Sequence, residues 1–541
     1  MTRHRGELAI VLCASAALAA LFLFPIVSHF TRAGRIDNAD GQFAIWNVAW
    51  VARTLLTDPR HVFDANIFFP HRSTLSYSEA NLVAGALGLP AYWLTHGNAF
   101  AAHNAALVLA FVLSATGMYY LVRRLTTDRR AAAVSAVCFA FCPYMFAHLP
   151  HIQLLMTFGL PFSMLAFHRL NERPGIVTGA VLGAVMTVQA IACGYYGVFD
   201  ALMVGVAVLI AAAIGRRWSD VDYWLAVGTA ASVAVVLVAP VYAPYVRLQR
   251  DLGFARPLEA ADMFSAAWST YLASSSYLHI WMLNYLPPWK EVAFPGFVAV
   301  VFALAAPGLW WRTRLRETLS IYGAIAALAL WASFGPRAGL YAALYRTIPV
   351  FSLLRASQRF GIVVDFAICV LAGIVLAAVL ARIRYATAVG VAIAIFAAIE
   401  LLVPLNIPIA DPPDAAYAVL ARQPAGALIE LPFYYPEVGL YQHAKYMLAS
   451  TYHWKPIVNG YSDYIPPDFY DHALTLAAFP NRDGFKILEA NHVRYAMFHM
   501  YGYNGENRHE ILGRLADFHA YLRPVFANET TQLYEITGFP R

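Results

Sequence analysis

The stretch "DNADGQFAIWNVAWVARTLL", residues Asp37 to Leu56, follows the first long apolar run of the chain. Asp37 and Asp40 stand three residues apart, ahead of a Trp-rich segment that is neither a clean transmembrane helix nor a plain loop. No small-residue cleavage site follows the apolar run Glu7–Phe30, so we interpret that run as a retained helix rather than a removed signal peptide. The two acids are therefore expected at a membrane surface.

The composition indicates a polytopic membrane protein. The 541 residues have a mean hydropathy of +0.55 and are 13% charged, whereas soluble domains have about 25% charged residues. Up to Leu405 there are 28 Lys and Arg against 18 Asp and Glu, and from Asn406 onward there are 10 against 14. This change in hydropathy and in the sign of the charge predicts two domains, 1–405 and 406–541.

Short basic connections set the predicted topology, because positively charged short loops stay in the cytoplasm. We therefore expect a multi-pass membrane protein with its N-terminus in the cytoplasm. The connections are "RRLTTDRR" (Arg123–Arg130), "RLNER" (Arg169–Arg173), "GRRW" (Gly215–Trp218), "RTRLRE" (Arg312–Glu317) and "RIR" (Arg382–Arg384).

The interpretation of the segment "NLVAGALGLPAYWLTHG" (Asn81–Gly97) determines the predicted membrane topology. If it crossed the bilayer, every later basic loop would lie outside, so we interpret it as a juxtamembrane helix within an outer loop, 31–97. Trp46, Trp50, Tyr92 and Trp93 would anchor this loop at the membrane interface. About eleven spans are then predicted: 8–30, 100–122, 131–149, 153–170, 175–192, 195–214, 222–243, 293–311, 318–334, 361–381 and 386–405.

The last predicted span ends outside, which makes 406–541 a periplasmic domain. Its composition is typical of an α/β domain. The segments "GALIELPF", "RYAMFHM" and "TQLYEI" are predicted as strands and "RDGFKILEAN" as a helix. The sequence of this domain has no Cys/His spacing typical of a metal site, no phosphate-binding loop and no nucleophile elbow, and we find no nucleic-acid-binding motif in the chain.

Several segments together resemble the GT-C superfamily of membrane glycosyltransferases, in particular bacterial proteins often labelled YfhO-like. Their order along most of the chain carries the resemblance more than any one of them. The segments are "DGQFAIWNVAWV", "NIFFPH", "GLPAYWLTHGNAFAAHN", "CPYMFAHLPHIQLL", "GYYGVF", "EVAFPGF", "LLRASQRFG" and "LPFYYPE…YHWKPIVNGYS".

The resemblance implies a GT-C-like fold and an enzyme that transfers a sugar from a polyprenyl-phosphate carrier to an extracytoplasmic glycan, lipid or protein, with inversion. Asp40, directly before Gly41, matches the family's catalytic acid, and Asp37 is a second acid. A carboxylate could take the acceptor's proton, a contribution of about 10²–10⁴-fold. Glu79 is a further possible substrate-binding acid, although the family pattern does not lead us to expect a fixed acid there.

The departing lipid phosphate requires cations. Arg355 and Arg359, four residues apart, are predicted to share one helix face and to bind this phosphate. His148 and His151 could donate hydrogen bonds to phosphate or sugar. Further possible substrate-binding residues are Tyr195, Tyr196, Asp200 and Glu291.

Each assignment has a structural alternative. Asp40 could cap the next helix, the two arginines could anchor to headgroups, and Glu291 could pair with Lys290 or an arginine. The histidines and tyrosines could be ordinary interfacial residues.

Two other functions stay open at this point, a lipid or glycan transporter or flippase and a non-catalytic membrane scaffold. A transporter would carry internal repeats and paired charges near the bilayer midplane. We see no clear repeat, and the acids lie near the outer leaflet. The sugar, the acceptor and the need for a divalent metal stay open as well, since the sequence has no cluster of metal ligands. The expected partners are the lipid-linked donor, the acceptor and membrane lipids.

Overall fold

The computed structural model describes residues 2–253, 256–287, 291–311 and 313–540, and most of them are helical. The α-helices in the first half of the chain are α1 Thr2–Phe22, α2 Phe24–Ser28, α3 Ala39–Thr57, α4 Leu82–Leu94, α5 Ala99–Thr126, α6 Arg129–Ala140, α7 Pro143–Ala147, α8 Ile152–Leu155, α9 Gly159–Glu172, α10 Ile176–Ala192, α11 Gly194–Ile214, α12 Val221–Leu252 and α13 Leu258–Met263. Those in the second half are α14 Phe297–Leu304, α15 Thr313–Ser333, α16 Leu340–Thr347, α17 Gly361–Leu380, α18 Ala386–Glu400, α19 Ala415–Arg422, α20 Ala444–Ser450, α21 Pro467–Ala477, α22 Arg482–Ala490 and α23 Gly505–Asp517.

The strands form one small sheet near the C-terminus. They are β1 Ala427–Leu431, β2 Val493–His499, β3 Leu522–Ala527 and β4 Thr531–Ile536, in the spatial order β1-β2-β4-β3. β1 and β2 are parallel, and the other two pairs are antiparallel. The three predicted strands are confirmed as β1, β2 and β4, and the predicted helix "RDGFKILEAN" is α22. The sequence prediction missed β3.

The chain divides into two compact units. The first unit comprises Met1–Val27 and Ala106–Asn406, and the second comprises Ser28–Ala105 and Ile407–Arg541. The predicted outer loop 31–97 therefore belongs to the same unit as the C-terminal sheet, whereas the sequence division had grouped it with the transmembrane region.

Six helical stretches in the described part of the chain are long and apolar enough to cross a membrane. They are Arg5–Phe22, Ala99–Thr126, Arg129–Ala147, Gly194–Ile214, Val221–Asp251 and Ser357–Leu380. Each coincides with one of the eleven predicted spans. Three further predicted spans coincide with the shorter apolar helices Ile176–Ala192, Phe297–Leu309 and Ala386–Glu400. The helical membrane fold is thus confirmed, and the number of spans stays a prediction.

In the second unit, glycines of α4 allow close packing on α3 and on the first turn of α5. A Cβ atom on Gly85 would lie 2.2 Å from Val51 Cγ1, and one on Gly88 would lie 2.4 Å from the Ala102 carbonyl oxygen. Only glycine allows these approaches, since real Cβ atoms do not come so near to other heavy atoms. The apolar segment Leu82–Leu94 is thereby fixed against its neighbours.

The two chain segments of the second unit are joined by backbone hydrogen bonds. Ile457 N–H donates to the Asn66 carbonyl at 2.9 Å, and Phe69 N–H donates to the Ile457 carbonyl at 3.0 Å. Ile457 also forms an isolated parallel bridge with Leu428 of β1. The outer loop therefore adds extended backbone to the edge of the C-terminal sheet.

The tryptophans at the start of this unit are core residues. Trp46 and Trp50 are buried, and their indole N–H groups donate to Asn66 Oδ1 and to the Val62 carbonyl. Tyr92 is buried as well, whereas Trp93 is exposed. The prediction of interfacial anchors is therefore wrong for Trp46, Trp50 and Tyr92, because their rings fill the interior of the unit.

Candidate functional site

The N-terminus of α3 holds the two predicted catalytic acids, and its cap is Asn38. Asn38 has extended backbone angles, and its Oδ1 accepts the Gly41 N–H at 2.8 Å. A Cβ atom on Gly41 would lie 1.9 Å from the Arg35 carbonyl oxygen, so the turn requires glycine at this position. Asp40 lies in the first turn of the helix and is half-buried. The alternative that Asp40 is the capping residue is therefore wrong, because Asn38 does this.

Asp40 receives a hydrogen bond from a residue that the sequence analysis did not single out. The Tyr461 hydroxyl donates to Asp40 Oδ1 at 3.0 Å across 421 positions of sequence. The Tyr461 ring also lies edge-on to Phe43, one turn further along α3, with 6.3 Å between ring centroids. The C-terminal part of the chain thus supplies a side chain that orients this carboxylate.

The segment that carries Tyr461 is held by Asn459, which is fully buried. Asn459 Oδ1 accepts the Glu430 N–H at 2.8 Å, and its Nδ2 donates to the Glu430 carbonyl at 2.9 Å. This side chain therefore continues the hydrogen bonding of strand β1. Asn459 Nδ2 also lies 3.0 Å from His443 Nδ1.

His443 completes this support as a neutral imidazole. Burial lowers the pKa of His443 to about 4, so the ring carries no charge at neutral pH. Its Nε2 lies 2.9 Å from the Tyr434 carbonyl, which can only accept a hydrogen bond. We infer that the proton is on Nε2 and that Nδ1 accepts from Asn459.

Asp37 has a different environment from Asp40. The Arg35 guanidinium binds it in a two-pronged arrangement, with Nε to Oδ1 at 2.9 Å and a terminal nitrogen to Oδ2 at 3.0 Å. Asn38 Nδ2 donates to the same carboxylate at 3.2 Å. The hydrogen bond from Arg35 holds the pKa of Asp37 below its usual value. A carboxylate stabilised in its charged form is a weaker base, so this geometry favours an orienting role for Asp37.

Glu79 lies in a part of the outer loop that packs on both chain segments of its unit. The half-buried Glu79 has its backbone carbonyl held by Asn47 Nδ2 at 3.1 Å, two turns beyond Asp40 on α3. Two residues earlier, the Tyr77 carbonyl accepts the Tyr464 N–H at 2.9 Å. The main chain at Glu79 is thus fixed, and a substrate-binding role for its side chain stays a prediction.

In the first unit, His148 is paired with Glu291. His148 Nε2 lies 3.2 Å from Glu291 Oε2, and both side chains are buried. His148 Nδ1 lies 2.9 Å from the Tyr144 carbonyl. Burial raises the pKa of Glu291, but the pair with His148 and the charge of Arg359 outweigh it, so that the pKa lies below its usual value. His148 is therefore one partner of Glu291, and the alternative partner Lys290 lies outside the described residues.

Arg355 and Arg359 both contact Tyr195. The Arg355 backbone N–H donates to the Tyr195 hydroxyl at 2.9 Å, and the Arg359 guanidinium lies 4.3 Å from the centroid of the Tyr195 ring. Arg355 precedes a 3₁₀ turn, Ser357–Phe360, which contains Arg359, and α17 begins only at Gly361. The prediction of one shared helix face is therefore wrong, because this part of the chain is not α-helical.

The other residues of this region differ in accessibility. His151 follows His148 with 6.2 Å between ring centroids and is half-buried. Tyr196 is fully buried, 3.0 Å from the Tyr144 hydroxyl, and donates to the Leu154 carbonyl. Asp200 is fully buried in α11 and accepts a hydrogen bond from Ser163 at 2.7 Å. Tyr196 and Asp200 thus suit packing roles better than direct contact with a substrate.

Within residues 2–253, 256–287, 291–311 and 313–540, no three His, Cys, Asp or Glu side chains are arranged so that they could hold a metal ion.

Comparison with known proteins gives structural matches only. No protein-family model and no curated protein matches the sequence. Arabinofuranosyltransferase AftD from Mycobacteria matches with a TM-score of 0.53 and 15% identity, over 99% of this chain and 41% of that chain. The archaeal oligosaccharyltransferase AglB from Archaeoglobus fulgidus, in a complex with an inhibitory peptide and a dolichol-phosphate, matches with a TM-score of 0.50 and 13% identity, over 92% and 70%.

These likenesses extend over nearly the whole chain. They cover both the apolar helices and the C-terminal sheet, as the order of the resembling sequence segments had predicted. The chain therefore has the fold of the GT-C superfamily of membrane glycosyltransferases.

Proposed function

We propose that this protein is an integral-membrane glycosyltransferase that moves a sugar from a polyprenyl-phosphate carrier to an extracytoplasmic glycan, lipid or protein acceptor, with inversion. The observation that carries the proposal is the state of Asp40. This acid is not used as a helix cap, and a tyrosine from the C-terminal sheet region orients it. The GT-C fold supports the same function, and the AglB structure holds a dolichol-phosphate.

The reaction assigns one task to each acid. As the acceptor hydroxyl oxygen attacks the anomeric carbon, its proton passes to Asp40, and the bond from that carbon to the phosphate oxygen breaks. The electron pair of this bond leaves with the lipid phosphate. Tyr461 stabilises the charged carboxylate and fixes its direction, and Asp37 orients the nearby backbone. A base positioned in this way contributes about 10²–10⁴-fold to the rate.

The phosphate is assigned to the cationic group of the first unit. Arg359 and Arg355 provide guanidinium groups, which suit phosphate oxygens because they can donate two parallel hydrogen bonds. Tyr195 organises both arginines, through its ring and through its hydroxyl. His148 acts through Glu291, which tunes the local charge beside Arg359. His151 is the remaining candidate donor.

The test of the proposal is the transfer of a labelled sugar from polyprenyl phosphate by purified protein in nanodiscs. Asp40→Asn keeps the size and the hydrogen bond from Tyr461 but cannot accept the proton, so transfer should fall about 10²-fold or more. Asp37→Asn should have a milder effect, because Arg35 already neutralises that acid.

Asp483→Asn is the matched control, because Asp483 is an exposed acid near the N-terminus of α22 that pairs with its neighbour Lys486. Normal turnover by Asp40→Asn would refute the assignment of the base. If both Asp40→Asn and Asp37→Asn were normal, another group would be the base, and if the native protein transferred no sugar, the transporter or scaffold interpretation would replace the enzyme.

The membrane orientation has its own test. We propose the bacterial inner membrane, with a cytoplasmic N-terminus and a periplasmic C-terminal region, because the basic connections favour it. A reporter that is active only in the periplasm and is fused after Arg541 should be active. Activity of a cytoplasm-specific reporter at the same position would overturn the orientation.

A further inference from the structure

Residues 264–286 form a segment that carries no Asp, Glu, Lys or Arg and exposes many large side chains. Seven apolar or aromatic side chains in it are between 45% and 81% exposed: Trp268, Leu272, Tyr277, Leu278, Ile280, Trp281 and Tyr285. An apolar patch of this kind on a surface that faced only water would promote aggregation. Some apolar or amphipathic partner must therefore cover the segment.

The backbone of the segment is irregular but well fixed. It contains two 3₁₀ turns, Trp268–Tyr271 and Ile280–Tyr285. The Ala266 N–H donates to the Ser333 carbonyl at 2.9 Å, and the Ala293 N–H donates to the Thr270 carbonyl at 3.0 Å. Irregular backbone cannot face the hydrocarbon core of a bilayer, because its peptide groups would lack partners there. The headgroup region is the depth at which such a segment is stable.

Three buried polar side chains connect the segment to the neighbouring helices. Ser274 Oγ lies 3.0 Å from His279 Nδ1, and His279 Nε2 lies 3.0 Å from Glu400 Oε1. The connectivity is like that of a hydrolytic triad, but all three side chains are at most 2% exposed. Glu400 also accepts the backbone N–H groups of Phe297 and Val298 at the start of α14. The group therefore fixes the segment to α14 and to the end of α18.

The segment is hydrogen-bonded next to the end of a helix that is a candidate for lipid contact. The Tyr277 N–H donates to the Leu402 carbonyl at 2.8 Å, just beyond α18. Ile395, Phe396 and Ile399 on α18 are each at least 50% exposed. The Trp and Tyr content of the segment, together with its attachment to a helix with exposed apolar side chains, is typical of the membrane interface.

We propose that residues 264–286 dock on the lipid bilayer and insert Leu278, Ile280 and Trp281 at the boundary between headgroups and acyl chains. The charge-free composition favours lipid over a protein partner, whose interface usually has a polar rim. The nearest charged residue before the segment is Asp262, which pairs with the exposed Arg337. The proposal does not depend on the transfer reaction.

The experiment measures the depth of single positions in the full-length protein in proteoliposomes. Of the five cysteines, only Cys13 is exposed, so a Cys13→Ser background allows labelling at a new cysteine with an environment-sensitive nitrobenzoxadiazole fluorophore. Leu278→Cys and Tyr277→Cys are the test variants. Leu512→Cys, at an exposed leucine on α23, is the control. Lipids with a spin label near the headgroup or near the end of the acyl chain serve as quenchers, and iodide reports water.

We expect the fluorophore at both test positions to be quenched several-fold more by the shallow spin label than by the deep one and to resist iodide. The label at position 512 should instead be quenched by iodide more strongly than by either lipid spin label. Iodide quenching at 278 and 277 equal to that at 512 would overturn the proposal, and so would stronger quenching by the deep label. The measurement needs no sugar donor, so its failure is distinct from failure of the proposed enzyme activity.

Discussion

Tyr461→Phe is the substitution that tests most directly how the C-terminal sheet region contributes to catalysis. It removes the hydroxyl that donates to Asp40 Oδ1 at 3.0 Å and keeps the ring that packs beside Phe43. A hydrogen bond to a charged group contributes about 1.5–3 kcal/mol. Because Asp40 is only half-buried, we expect the lower end of this range, which corresponds to a change of about tenfold in the rate of sugar transfer.

The effect should depend on pH in a defined direction. The lost hydrogen bond stabilised the charged carboxylate, so its removal favours the protonated form. The acidic limb of the pH–rate profile should therefore move to higher pH. On that limb, sugar transfer by Tyr461→Phe should be about tenfold slower than by the native protein, and the two should converge at alkaline pH.

The assay is transfer of labelled sugar from polyprenyl phosphate across a range of pH, with Tyr534→Phe as the control. Tyr534 is a half-buried tyrosine of β4 whose hydroxyl donates to Gln532, so its loss should leave the profile unchanged. An unshifted profile for Tyr461→Phe, in an assay where Asp40→Asn is inactive, would refute the reasoning. An equal fall at every pH would refute the pH argument too, because this would indicate lost orientation or packing rather than lost charge stabilisation.

Three other predictions concern the arginines proposed to bind phosphate, the stability of the fold toward acid and the packing of the second unit. Arg359→Gln should raise the donor KM about tenfold through loss of a charged hydrogen bond, whereas Gln at Arg337, which is 85% exposed, should leave it unchanged in the same assay. Burial lowers the pKa of His443 from 6.5 to about 4, so the unfolded chain takes up this proton at a higher pH than the folded protein does. The free energy of unfolding should therefore fall by about 3 kcal/mol as the pH drops from 6.5 to 4. His443→Gln should flatten that part of the pH dependence in denaturant unfolding, and an unchanged slope would contradict it. Gly85→Ala should destabilise the protein by about 1–3 kcal/mol, as measured by thermal unfolding. The control Gly513→Ala adds a Cβ that meets nothing within 4 Å, so it should be neutral or slightly stabilising.

Local signals allowed the sequence to predict most of the fold. Apolar runs indicated the helices, and the segments around Leu428, Ala496 and Leu533 indicated three strands. β3 was missed because its central Pro524 and charged Arg523 weaken the strand pattern. The helical prediction for Arg355 failed because a four-residue spacing says nothing of the 3₁₀ turn that precedes α17.

The candidate site was harder to predict, because its side chains come from distant parts of the chain. "DNADG" contains three residues that could cap a helix, and only the observed bond from Gly41 identifies Asn38 as the cap. Tyr461, which donates to Asp40, lies in "NGYSDY", and no local pattern links that segment to α3. The pairing of His148 with Glu291 likewise depends on tertiary structure alone.

The composition of the second unit from two separated chain segments has a consequence for biosynthesis. Ser28–Ala105 leaves the ribosome early, but its hydrogen-bonding partners around Ile457 follow roughly 400 residues later. At about 5–20 residues per second, the early segment waits roughly 20–80 s for them. During that interval Asn66 lacks its partners and Asp40 lacks Tyr461. The hydrogen bond that orients the acid can therefore form only once the last quarter of the chain has been synthesised, after the whole of the first unit.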